Sequence, residues 1–463
     1  VRSEPLRRHL EAESASIRTR GFAGFFGVAM NWRSAEGDSA RCPVLLKPAV
    51  TLGSACVGQN GMTGSALLHM QSAPAASFSF VETLGMLYGL RLLGETVVAG
   101  SVSTMPEGQA PSAAGLICTD GAMTSTARLS LAASILKNMG FGTSFARIVL
   151  LCGHEGHSSN NPHHAGLECG ACGGHSGAIN ARVAAALLND PGVRLGLVVG
   201  GWSVPSDTHF LPGVHDTSTD EVRLLDLDQV PTDHRSDLAQ LETWLASASV
   251  KTRAERSTAL GLGERPTGIL KRLLQRRAAD WSEVRPEWAL ARNAAFIAAR
   301  RSRTRGVNLE GRSFLHEYDA TADADDSILT LILTAPMVVA SWINLQYFAS
   351  TVDNDTFGCG DKALHNRVGA LGVVLGNGGD LRTGLPLQSV HSADGRWFHE
   401  PLRLQVIVEA PTEQIDRVLG AQPGVRDLVN NGWVRLFALS QDDCHLERCV
   451  PGREWERVYV DQS

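Results

Sequence analysis

Arg147-Ile-Val-Leu-Leu-Cys-Gly-His154 is the stretch from which the rest of the chain is read. Its β-branched and leucine run, Arg147–Leu151, is long enough only for a strand, and it finishes at Cys152-Gly-His154. A glycine-rich loop continues to Gly174, helical spacing runs from Ile179 to Leu188, and a second short apolar run, Leu195–Val199, is expected to be a strand. Strand, loop, helix and strand in that order predict a βαβ unit of a parallel sheet. Ligands of open α/β sheets sit just beyond the strand C-termini, which is where this Cys/His loop falls.

Working outward, Phe210–Leu224 gives a third strand-like piece bearing His215 and Asp216, and Thr126–Met139 has helical spacing. Arg2–Glu13 suits a short helix, and Thr51–Gly64 and Ser101–Gly115 read as surface loops. Helices are predicted over Asp237–Ala259 and Thr267–Ala279, then strands over Leu402–Glu409 and Val434–Ala438. The pattern predicts an α/β core over residues 1–230 and a helical plus mixed α/β region over 231–463.

The chemistry is concentrated between Cys152 and His175, where Cys152, Cys169 and Cys172 alternate with His154, His157, His163, His164 and His175. Zinc takes thiolate and imidazole ligands, usually four, with one position open when the site is catalytic. Three readings stay open on residue types alone. Cys152, His154, Cys169 and Cys172 could close a structural zinc site, two of them could share a catalytic zinc with ligands from elsewhere, or the loop could hold no metal. His154-Glu-Gly-His157 is one residue short of a metalloprotease H-E-x-x-H, and Gly174-His-Ser-Gly-Ala178 lacks the last glycine of a nucleophile elbow. Gly376-Asn-Gly-Gly-Asp380 lacks the Lys-Ser/Thr of a phosphate loop and reads as a turn.

With 43% hydrophobic and 19% charged residues in 463, the chain has the composition of a folded protein. A net charge of -6 argues against a dedicated nucleic-acid binder, which needs surplus cations to neutralise phosphates. Nine cysteines, three of them clustered with histidines, suggest metal or catalysis in a reducing compartment and not a disulfide scaffold. The basic runs Lys271–Arg277 and Arg300–Arg305 read as solvated faces or as a patch for anionic lipid. No stretch reaches about twenty uninterrupted apolar residues. Phe78–Leu93 and Ile328–Ile343 come nearest and read as buried or docking helices, in a soluble or peripheral chain.

At Gly153-His154, Asn160-Asn-Pro-His163 and Cys169-Gly-Ala-Cys-Gly-Gly174 the sequence resembles the zinc loop of the DabA family, inorganic-carbon pump subunits with a site similar to that of β-carbonic anhydrases. Further similar blocks are Arg41–Leu46, Phe210-Leu-Pro-Gly-Val-His-Asp-Thr217, Trp281-Ser-Glu-Val-Arg-Pro-Glu-Trp288, Arg301–Gly306, Leu333–Val339, Trp342–Tyr347 and Asp380–Pro386. The resemblance implies a β-carbonic-anhydrase-like parallel-sheet core and Zn2+ held by two Cys, one His and one Asp, the Asp paired with an Arg. His154 would be the imidazole ligand, Cys169 a thiolate ligand and Arg2 the dyad arginine. The other thiolate and the Asp are expected immediately before Val1, so the chain is expected to be a C-terminal piece. It also implies hydration of CO2 to bicarbonate, coupled to a DabB-like membrane ion-conducting subunit, with the protein peripheral on the cytoplasmic face of the cell inner membrane. The competing expectation is a structural zinc scaffold for that partner, without catalysis.

Overall fold

Among the described residues the two largest apolar cores lie under two different sheets. The computed structural model describes residues 2–33, 39–42, 50–54, 70, 76–97, 116–118, 123–142, 144–158, 176–280, 282–368, 371–441, 445–452 and 455–459, and the architecture is mixed α/β.

Strand β5 (Ile148–Glu155) carries the opening motif to its C-terminal end and pairs in parallel with β6 (His209–Asp216), which turns tightly into antiparallel β7 (Glu221–Leu224). The connection is helical: α4 (Ala178–Asn189), then α5 (Pro191–Val199). The expected strand at Leu195–Val199 is therefore the last turns of a helix. Asp190 accepts a hydrogen bond from the Val193 amide at 2.9 Å and Pro191 sits at the first helical position, which together start a helix. Val193 and Leu197, four residues apart, bury one face, while Leu195, Val198 and Val199 stay exposed. The expected third strand at Phe210–Leu224 is two strands, divided by the polar turn at residues 217–220.

The first core joins Leu151 and Phe210 to α4 and α5, to α3 (Ser125–Asn138) through Ile135 and Leu136, and to Val28 and Met30 at the start of β1 (Met30–Arg33). β1 belongs to a four-stranded sheet with β2 (Ser39–Cys42), β3 (Val50–Ser54) and β4 (Leu116–Cys118), in the order β2-β1-β3-β4. The expected loop from Thr51 thus begins within β3, with Thr51 and Leu52 buried, and the remainder to Gly64, like Ser101–Gly115, lies outside the described residues.

In the six-stranded sheet β8 (Ala295–Ala299), β9 (Ser313–Glu317), β12 (Leu404–Val408) and β13 (Val434–Leu439) run parallel, and β14 (Leu446–Arg448) and β15 (Glu456–Val458) close it antiparallel. Their order is β15-β14-β13-β12-β8-β9. Val406, Val408 and Leu436 pack there against α8 (Ser327–Thr334) and α9 (Pro336–Val352). By length and composition Ser327–Val352 could cross a bilayer. Leu329, Ile332, Leu333, Met337 and Ala340 are nonetheless buried in this core, which fits the buried reading of Ile328–Ile343.

Helix α1 (Ser3–Glu13) lies along α6 (Arg235–Ala259), with Glu13 bound to Ser247 and Lys251 and Arg8 to Glu255 at 2.7 Å. α7 (Thr267–Ala279) follows α6. Most of the basic run Arg300–Arg305 is turned to carboxylates: Arg300 and Arg303 hold the buried Glu409 and Arg301 grips Glu11 through two nitrogens at 2.9 Å, while Arg305 is exposed and donates to the Ile17 carbonyl at 3.0 Å. Arg300, Arg301 and Arg303 thus depart from the expected solvated face or lipid patch, and Arg305 keeps to the solvated one. Gly376–Asp380 is a turn beyond β11 (Gly372–Leu375), which pairs with β10 (His365–Val368), with Gly376 and Gly379 at positive φ.

Helix α2 (Ser77–Val97) departs from the buried reading of Phe78–Leu93 and not from the docking one. Phe80 is buried, but Phe78, Val81, Leu87, Leu90 and Leu93 are exposed and Met86 is 91% exposed. A helix so apolar on so much of its circumference is short of partners by the ordinary rules of a water-facing surface.

Candidate functional site

The C-terminal ends of β5 and β6 converge on a polar cluster. His154 and His215 are register partners across the parallel pair, so both lie on the same face of the sheet. The next pair, Glu155 and Asp216, lies on the opposite face. The backbone approaches closely here. A Cβ on Gly153 would stand 2.6 Å from the Gly177 carbonyl oxygen, and one on Gly24 would stand 2.8 Å from Nδ1 of His154. Both positions need glycine for that approach.

His154 is half-buried, and among the described residues its ring makes no hydrogen bond. Cys152, two residues earlier and on the same face, is a free thiol that burial, then the Glu155 carboxylate, pushes up to about 12. Glu155 accepts from Ser176 Oγ at 2.6 Å and Arg223 Nη2 at 3.1 Å. Ser176 is therefore bonded to a carboxylate, which is not the base of a nucleophile elbow.

The turn His215-Asp-Thr-Ser-Thr-Asp220 is buried and clamped. Asp216 accepts from the Ser218 amide and Thr219 Oγ1, both at 2.9 Å, and faces His157 Nδ1 at 3.6 Å. Burial works to raise the Asp216 carboxyl, but the hydrogen bond and charge of His157 hold it below the ordinary carboxylate value. Asp220 is fully buried and adopts the left-handed backbone region, φ 57°. Its Oδ1 lies 3.3 Å from His215 Nε2, and its Oδ2 takes Nη1 of Arg256 at 2.5 Å. Helix α6 clamps the turn from outside, through Arg256 on the Thr217 carbonyl and Arg253 on the Thr219 carbonyl. A non-glycine residue held buried at positive φ marks a place where packing outweighs backbone preference.

Arg256 continues the chain. Its Nη2 lies 4.0 Å from Oε2 of Glu287, whose two oxygens both accept from Nη1 of Arg2, at 2.9 and 3.1 Å. Arg2 and Glu287 are both buried. Burial raises the Glu287 carboxyl above its ordinary value against the pull of Arg2 and Arg256. Among the described residues the Nε and Nη2 edge of Arg2 has no hydrogen-bond partner. A continuous series of charged contacts thus runs from Arg2 through Glu287, Arg256 and Asp220 to His215, the strand neighbour of His154.

The sequence reading placed His154 at the strand end, where it is, and Arg2 at the start of α1, where it is buried in this series. Cys169, with Cys172, His163 and His175, lies outside the described residues. No group of three or more His, Cys, Asp or Glu able to hold a metal occurs among the described residues. What they offer a metal is a half-buried imidazole with uncommitted ring nitrogens, which fits the donor chemistry of zinc. His215, Asp220, Arg256 and Glu287 carry no site motif of their own. Two of them lie in stretches similar to the family: His215 in Phe210–Thr217, and Glu287 in Trp281–Trp288.

Comparison with known proteins places residues 1–434 under the family model described as "Probable inorganic carbon transporter subunit DabA". A relative of that name from Acidithiobacillus ferrooxidans (strain ATCC 53993 / BNL-5-31) is 44% identical over 495 residues, covering 99% of this chain and 59% of the relative. One from Bradyrhizobium sp. (strain ORS 278), numbered DabA 1, is 45% identical, covering 99% of this chain and 57% of the relative. Another, from Allorhizobium ampelinum, is 47% identical, covering 98% and 56%. The chain spans less than three-fifths of the length of these relatives.

Proposed function

The chain belongs to the DabA family, and on that premise we propose that it is part of a zinc-dependent subunit of an energy-coupled inorganic-carbon pump that hydrates CO2 to bicarbonate. One observation carries the reading. Among the described residues the His154 ring stands uncommitted at the C-terminal end of a parallel strand, and Arg2 is linked through buried contacts to the adjacent strand. That is the arrangement a β-carbonic-anhydrase-like core would need around one metal ligand and its dyad arginine.

His154 and Cys169 would hold zinc, with a second thiolate and an Asp from residues preceding Val1 in the whole protein. Zinc bound there would supply a water acidified to a pKa of about 7. The chain's own residues do the positioning. Arg2 has one nitrogen on Glu287 and an open guanidinium edge, the geometry a fork needs to take a second carboxylate and turn it away from the metal. Asp220 orients His215 beside the ligand strand.

Hydration alone does not accumulate bicarbonate, because a catalyst leaves the equilibrium where it was. Net pumping therefore calls for a membrane ion-conducting partner and a peripheral seat on the cytoplasmic face of the inner membrane. The exposed apolar side chains of α2 are the surface best suited to that partner, and Met86→Glu with Leu90→Glu is expected to weaken the complex while the melting temperature stays near wild type.

Single substitutions in the full-length protein test the site. His154→Ala and Cys169→Ala are each expected to abolish zinc retention and carbon uptake while the fold and the complex with the partner persist. Unfolding and loss of the complex in both variants would favour the scaffold reading, in which zinc only staples the protein.

A further inference from the structure

We infer that Glu287 is a positioning residue for Arg2, holding the guanidinium so that its Nε and Nη2 edge is presented to a second carboxylate; this rests on the role given to Arg2 above. The two residues are 285 positions apart in sequence and meet where the start of α1 reaches the segment that follows α7. Both are buried, so water cannot replace either partner. Glu287 uses both oxygens on a single nitrogen, Nη1, at 2.9 and 3.1 Å, which pins one corner of the guanidinium and, among the described residues, leaves the opposite edge open. Its other flank is fixed by Arg256, 4.0 Å from Oε2, and Arg256 is itself anchored by Asp220 and the Thr217 carbonyl. Glu287 is thus clamped from the β6 side and transmits the position of that strand's turn to Arg2.

A merely structural carboxylate has another appearance in this molecule. Glu409 takes four donors from two arginines, which saturates its carboxylate, and Arg303 spends Nη2 on the Ser440 and Gln441 carbonyls. Glu287 takes one nitrogen of an arginine whose remaining donors point elsewhere.

The test uses the full-length protein in complex with its membrane partner. Glu287→Gln, Arg2→Lys and the double variant are compared for CO2-hydration rate against pH, for melting temperature and for the rate at which zinc is lost to a chelator. Glu287→Gln is expected to lower the rate on the order of tenfold to a hundredfold, the cost of misplacing a group by about 1 Å. The carboxylate no longer restrained by Arg2 would compete for the metal's open position, so the pH profile should move and zinc loss should slow. Adding Arg2→Lys should cost little more, since the two residues act as a unit. Additive losses, or a lower melting temperature with an unmoved pH profile, would make Glu287 a staple and overturn the inference. If Glu287→Gln does not fold, Glu287→Asp keeps the charge and shortens the reach; a folded Asp variant with wild-type rate and profile overturns it equally. His154→Ala separates the two levels. A His154→Ala protein that keeps its zinc and its rate sinks the underlying reading, whereas an inactive one beside an unaffected Glu287→Gln sinks only this inference.

Discussion

Two buried carboxylates stand close to the strands of this molecule and are held by arginines, but they are held differently. Glu409, just past β12, accepts from the Arg300 amide at 2.9 Å, from Arg300 Nε at 3.0 Å, from Arg300 Nη2, and from Arg303 Nε at 2.6 Å. Burial works to raise its carboxyl, yet these donors hold it below its ordinary value. Glu287 has one nitrogen of Arg2 in contact and Arg256 at the limit of an ion pair, and burial prevails, leaving it raised. The same chemistry yields a saturated staple beside the six-stranded sheet and an under-coordinated group near the three-stranded one. The balance between desolvation and donor number decides which.

The harshest way to break this contrast is Glu409→Ala. It strands two arginines against the sheet edge and should cost about 3–5 kcal/mol, as removal of one partner from a buried ionic cluster does, read as a shift in the urea midpoint without a change in slope. A gentler test uses the opposite pH signatures. The stability due to Glu409 is present above its unfolded value and lost as pH falls through its depressed folded value. That due to Glu287 is present below its unfolded value and lost as pH rises through its raised folded value. Stability measured over roughly pH 3–7 should therefore lose part of its acid decline in Glu409→Gln and part of its decline toward neutrality in Glu287→Gln. Parallel curves for the two variants would erase the distinction. The smallest expected effect is Arg300→Lys, below about 1 kcal/mol, because Arg303 remains on Glu409 and the Arg300 amide still donates.

Local signals carried much of the fold. The helices over Thr267–Ala279 and Ile179–Leu188 and the strands ending at His154 and near Ala438 follow from periodicity and from Gly and Pro boundaries. Leu195–Val199 misled because a five-residue apolar run does not distinguish strand from helix, and the deciding Asp190-Pro191 start lies before it. The exposure of α2 was illegible for another reason: periodicity reports which residues are apolar, not whether anything covers them. At the site, His154 announced itself through residue type. Glu287 and Arg256 could not, since their meaning lies in contacts with residues 285 and 36 positions away. The use of Arg300, Arg301 and Arg303 on carboxylates was hidden likewise, because a run of arginines reads the same whether it faces solvent or carboxylates.

The span between Arg2 and Glu287 also sets a timetable for biosynthesis. On a ribosome adding about 5–20 residues per second, the arginine emerges roughly 15–60 s before its carboxylate exists, and α1 must likewise wait for α6 to be translated. The segment that carries Arg2 therefore leaves the exit tunnel before its buried counter-ion is made, and its docking belongs to the late stages of assembly.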